Sequence, residues 1–345
     1  SSNYYEPINP PLDLSKSGNP DIIDPNRWQP LQILNFIDQS GNPIEGIPEF
    51  ISPEWGNVLP FSLKESDLTI KIRDDDIYKI YHDPGIPPLL DTLNQGVMDS
   101  LFKNSFYMVS VWGSHLDRSD GILWDISPNS IGNVASLPED FEDFEDLYNY
   151  FDGGDVGEGY QLNPITNEKY SEQIVPRGDY TRVLAEFWAD GPDSETPPGH
   201  WFVILNEVND DDKLIKKFEG EGEELDDLEW DIKSYFLMGG AMHDVAISAW
   251  GIKGYYDYIR PISVMRYLSE KGQSSYPDSL NYNKNGFDLI DGYIELVDSN
   301  DPLVGQNKEN LGKIKLYTWK GFSDKNILEL EEKGSGWILA EEWWP

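Results

Sequence analysis

The chain has 345 residues, with 63 Asp and Glu against 26 Lys and Arg, for a formal net charge of −37. That balance argues against nucleic acid or an anionic membrane surface as a partner, since both would repel it. The absence of cysteine excludes disulfides, thiol nucleophiles and thiolate metal sites, and no run of about 18 apolar residues is present to span a bilayer.

The length permits a full core, as one large domain or two smaller ones. The chain opens Ser1-Ser2-Asn3-Tyr4-Tyr5 with neither Met nor an apolar leader. This is what a processed mature protein would show, and with the acidity it leads us to expect a secreted protein, extracellular or periplasmic. Residues 1–85 are rich in Pro, Asn and Gly and read as an extended lead wrapping a core, with at most short strands such as 31–37. Trp28 and Trp55 would anchor that lead.

Residues 86–345 read as a helical domain. Leu93, Val97, Leu101, Met108 and Trp112 form a helical stripe to about 115, with a break expected near Asn104 and Ser105. A turn is expected over 124–128 and an acidic amphipathic helix over 138–151. The acidic loop at 151–159 and the Asn-rich stretch at 281–286 lack the ligand spacing of a calcium loop and read as solvated. A helix over about 179–189 ends at Gly191, and the turn Pro197-Pro198-Gly199 launches another at His200.

Residues 231–251 mix small side chains (Gly239, Gly240, Ala241, Ala246, Ser248, Ala249) with Ile232, Phe236, Leu237, Val245 and Ile247, the pattern of a buried helix. It leads into Lys253, then Arg260 and Pro261. A spacing of seven is close to two helical turns, so both cations would leave one face about 10 Å apart along the axis. There they could converge on one oxyanion, Arg as a planar fork and Lys as a mobile point charge. Pro261 would kink the helix or start a new one. Trp250 either walls such a site or fills the core. The four histidines, His82, His115, His200 and His243, show no metal-ligand spacing and read as structural. No Gly-x-Ser-x-Gly, phosphate-binding glycine loop or dinucleotide fingerprint occurs.

Lys253-x6-Arg260-Pro261, with Trp250 one turn earlier, resembles the first motif of the vanadium-dependent haloperoxidases and the related type-2 phosphatidic acid phosphatase superfamily. The stretches 26–30, 53–61, 187–191 and 197–201 are similar to pieces of bacterial members. The resemblance implies a mainly α, helical-bundle scaffold with an extended Pro-rich lead and few short strands. It implies Lys253 and Arg260 as catalytic and vanadate-binding residues, Trp250 beside the cofactor, and hydrogen peroxide and halide as substrates. Asp190 would pair with the active-site Arg from behind, or simply belong to a helix C-cap region packed beside Trp188.

The later motifs of that family, Pro-Ser-Gly-His and Ser-Arg followed by a His, are absent from these residues. No metal ligand is therefore assigned here, and the metal-bonding His is expected outside the chain, for instance on a second polypeptide piece. Residues 335–345 read as an amphipathic helix cut short, so the domain is expected to be incomplete at that end. An acid phosphatase of the same superfamily and a non-catalytic secreted binding protein are the competing expectations.

Overall fold

The computed structural model describes residues 5–33, 36–37, 42–44, 46–94, 97–130, 159–163, 166–187, 195–321 and 333–344. Five α-helices and eleven short strands occur among them, the first four strands being β1 (Leu12–Asp13), β2 (Leu31–Gln32), β3 (Phe36–Ile37) and β4 (Pro43–Ile44). The helices are α1 (Val97–Gly113), α2 (Arg177–Phe187), α3 (Pro197–Asn209), α4 (Asp227–Tyr256) and α5 (Pro261–Leu268). Helices are present as expected, but strands are more numerous than a helical bundle with few strands would have. The chain divides into two compact units, and its first 87 residues contribute to both.

The first unit comprises Ser1–Pro11, Arg27–Pro87 and Ala189–Tyr258. Its strands include an antiparallel hairpin, β5 (Leu68–Arg73) with β6 (Asp76–Tyr81), where only an extended lead was expected. Ile70 and Ile72 alternate with polar residues along β5, and Ile72 stands opposite Ile77 across the hairpin. Asp74 and Asp75 both take positive φ, 53° and 70°, which a two-residue turn matching the strand twist requires. α3 starts at Pro197, earlier than expected. Pro197 and Pro198 begin the helix rather than precede it, because first-turn N–H groups have no intrahelical acceptor to lose. The Thr196 hydroxyl accepts the Gly199 N–H as its cap.

α4 is the long element of this unit. Asp226 caps its start, accepting the Glu229 N–H. It packs on β6 and on the turn Trp55–Asn57 through glycines. A Cβ on Gly254 would come within 2.5 Å of the Pro53 carbonyl oxygen, and one on Gly251 within 2.9 Å of the Lys79 carbonyl. The helix is not buried as expected: Ile232, Phe236, Leu237 and Val245 are all exposed, and Ile247 is its one large buried apolar residue. Apolar side chains all round a helix require partners all round it, and the described residues of the unit cover one narrow face.

The second unit comprises Leu12–Asn26, Pro88–Trp188 and Ile259–Pro345. Here β9 (Ile294–Leu296), β10 (Ile314–Trp319) and β11 (Ser335–Leu339) form an antiparallel sheet with β10 in the centre. β7 (Leu123–Asp125) pairs with β8 (Ile174–Pro176), where a turn was expected. α1 runs without a break through Asn104 and Ser105, the Ser105 hydroxyl donating back to the Leu101 carbonyl. The core gathers Phe102, Tyr107, Met265, Leu268, Ile314 and Leu316, all essentially inaccessible. The expected terminal helix is instead β11 and a single 3-10 turn, Ala340–Glu342, because Lys315 to Trp319 offer it a paired edge. No helix among the described residues is long and apolar enough to cross a membrane. The expected helix at 138–151 and most of the acidic loop 151–159 lie outside the described residues.

Candidate functional site

Lys253 stands in the last turn of α4 with its side chain exposed. Its ammonium lies 4.5 Å from the Trp250 ring centre, a cation–π contact that orients the stem. Trp250 is half-buried and leans on Trp55, ring centres 5.5 Å apart at 36°. The structure thus brings Trp250 and Lys253 together, and Lys253 makes no ion pair among the described residues.

The helix stops three residues later. Asp257 is left-handed, φ 34° and ψ 47°, and its N–H donates to the Lys253 carbonyl at 2.8 Å. This corrects the expectation that Lys253 and Arg260 share one helix face: the turn at Asp257 ends the 3.6-residue periodicity between them. Arg260 is the extended N-cap of α5, φ −86° and ψ 151°, with Pro261 at the first helical position. Of the two roles foreseen for Pro261, starting a new helix is the one adopted. Arg260 has an exposed side chain, yet neighbouring protein desolvates its guanidinium enough to push its pKa down. Asp190 lies outside the described residues.

Sequence reasoning missed the group that builds this helix end. Asp257 is 1% exposed. Its Oδ1 accepts from Arg27 Nε at 2.5 Å and from Arg73 Nη1 at 3.0 Å, and its Oδ2 accepts from the Tyr5 hydroxyl at 2.7 Å. Arg73 also donates to the Tyr255 and Gly254 carbonyls, satisfying the last turn of α4. Its guanidinium sits 4.8 Å from the Tyr78 ring centre, with Tyr5 and Tyr255 within 6 Å. Burial pushes the Asp257 carboxyl above the usual range against the pull of Arg27, Tyr5 and Arg73. Burial, then the bond to Asp257, likewise raises the Tyr5 hydroxyl. The backbone joins in, as the Trp28 N–H donates to the Asp257 carbonyl at 2.5 Å. Asp257 was visible between Tyr256 and Tyr258, but nothing local marks Arg27 and Arg73 as its partners.

A second buried carboxylate anchors the middle of α4. Asp244 accepts the N–H groups of Phe61, Ser62 and Leu63 at 2.6, 2.6 and 3.1 Å, and the Ser62 hydroxyl at 2.6 Å. Burial opposes its ionisation, but these hydrogen bonds outweigh it and hold the carboxyl below its usual range. The histidines are dispersed: His115 is buried against Trp124, and His243 Nε2 lies 2.9 Å from the Leu59 carbonyl oxygen. Among the described residues no group of three or more His, Asp or Glu is placed to hold a metal ion.

Residues 233–283 match one family model, described as the VCPO second helical-bundle domain. The matched segment runs from α4 through α5 and encloses Trp250, Lys253, Arg260 and Pro261. It is thus similar to a helical-bundle domain. The kinship it supports, over this part of the chain, is with the haloperoxidases. No curated protein and no solved structure matches the chain.

Proposed function

We propose that this chain is the N-terminal part of a secreted, vanadate-dependent haloperoxidase-like enzyme that oxidises halide with hydrogen peroxide. The observation that carries the reading is the family match across 233–283, because it contains the whole Lys253-x6-Arg260-Pro261 motif. The donor chemistry fits an oxyanion. The Lys253 ammonium has no carboxylate partner among the described residues, and Arg260, whose guanidinium is partly desolvated, adds a second cationic donor. Vanadate, when bound, would supply the Lewis-acid centre for peroxide chemistry.

The work of this chain's residues is electrostatic. Lys253 and Arg260 would each hold and neutralise an oxyanion oxygen, and Trp250 keeps the Lys253 stem in one orientation. Asp257, through its left-handed turn, sets where α4 ends and therefore where Lys253 emerges. Asp190 would steady the Arg260 guanidinium. The metal-bonding histidine would come from further polypeptide carrying the two later motifs.

The test is halide oxidation against phosphate-ester hydrolysis, with and without vanadate, by the protein carrying those motifs. Arg260→Ala should lower vanadate-dependent bromide or iodide oxidation at least ~10²-fold, the usual scale for losing one preorganised donor, without altering the circular dichroism spectrum. Unchanged turnover would refute the assignment, and vanadate-inhibited ester hydrolysis would move it to the phosphatase branch.

A further inference from the structure

α4 carries an apolar stripe that the described residues of its unit leave open. Leu228, Ile232 and Phe236 recur every four residues, on one helix face, and are 70, 61 and 67% exposed. At Phe236 the stripe enters a trough of about 530 Å³ between α4 and residues 59–61. Leu59, Phe61, Tyr235 and His243 form its sides, and Gly239 and Gly240 its floor. Phe61 meets Phe236 edge-on at 5.2 Å and yet remains half-exposed. The Phe61 ring lies directly against Gly240, where a Cβ would stand 2.6 Å from it. An open apolar trough in line with an exposed helical stripe has the form that receives an amphipathic helix.

The charge around it selects the occupant. Tyr235 donates to Asn206 Oδ1 at 2.5 Å, and Trp230 Nε1 to Asn209 Oδ1 at 2.9 Å. These bonds hold the end of α3, with exposed Glu207, Asp210 and Asp211, beside the start of α4, with Asp226 and Asp231. Two of the nearby lysines are paired, Lys216 with Asp227 at 2.7 Å and Lys233 with Glu229 at 2.6 Å, and the acidic side chains outnumber the rest. The rim is therefore anionic. A second copy would bring another charge of −37 against it, and an anionic membrane would be repelled too. We propose that α4 and residues 59–61 form a docking groove for a cationic amphipathic helix of a partner protein. The inference stands on this surface alone and does not depend on the oxyanion reading.

The experiment is fluorescence anisotropy with a labelled Lys/Leu peptide whose leucines follow helical spacing, against a scrambled peptide of the same composition. The helical peptide should bind at least ~10-fold more tightly, the scale of one buried apolar anchor. Phe236→Ser should erase most of that advantage, and Ile232→Ser serves the same purpose if the first variant perturbs the circular dichroism spectrum. Asp210→Asn with Asp231→Asn should weaken binding several-fold at low salt and less at high salt. Equal binding of the two peptides would overturn the proposal, leaving bulk charge as the only attraction. So would sedimentation showing self-association that Phe236→Ser abolishes, since the occupant would then be a second copy.

Discussion

The two helices on either side of the Asp257 turn are built on opposite principles. α4 has 30 residues, of which Gly240, Asp244, Ile247, Gly251 and Gly254 are buried. α5 has eight, of which Ile262, Ser263, Val264, Met265, Arg266 and Leu268 are buried. A helix of eight residues is far below the length that holds in water, so α5 exists because its unit surrounds it. α4 is long enough to propagate its own hydrogen bonds and is fastened at points, by glycine contacts and two buried carboxylates. Length and anchoring replace burial in one, and burial replaces length in the other.

Four substitutions would break or sharpen that contrast, from the largest effect to the smallest. Asp257→Ala removes a fully buried carboxylate from the half-buried Arg27 and Arg73 and should cost about 3–5 kcal/mol. Urea unfolding would measure it, and a loss below ~1 kcal/mol would mean that the arginines find water instead. Met265→Ala, at a wholly buried position of α5, should cost about 2–5 kcal/mol by the same measurement. A near-neutral result there would show that α5 does not depend on its core contacts.

Asp244→Asn comes next, at about 1–3 kcal/mol, because several donors lose a charged acceptor. Its sign with pH follows from the lowered carboxyl. The folded state holds its proton less tightly than the unfolded chain does, so the stabilisation is complete above the unfolded pKa of about 4. It fades as pH falls through the folded value. The gap between wild type and Asp244→Asn should therefore close in acid, and a gap that stayed constant from neutral pH to pH ~2 would deny the carboxylate its role. Last, Ile232→Ala on the open face of α4 should change stability by no more than about 0.5 kcal/mol. A loss of several times that would mean the face is covered after all.

Much of this was legible from residue order, and the failures are instructive. Residue order narrowed Pro261 to a kink or a helix start, and the structure takes the second, where its missing N–H costs nothing. The β5–β6 hairpin was legible too, in the alternation around Asp74-Asp75, but the surrounding prolines led to an extended reading. Residues 335–339 could not be decided locally, because a short apolar run fits either a helix or a strand until a neighbouring edge is known. The burial of α4 was misjudged for a similar reason. Its small residues do mark close approach, at Gly251 and Gly254, but composition cannot say which faces find a partner.

Residue order alone determined the acidic character, the Lys253-x6-Arg260-Pro261 pattern and the points where helices can begin, since charge, spacing and missing N–H groups are local properties. Only tertiary structure decided that the helix breaks at Asp257. A left-handed, buried aspartate is unfavourable by itself and persists because Arg27, Arg73 and Tyr5, distant along the chain, meet its carboxylate.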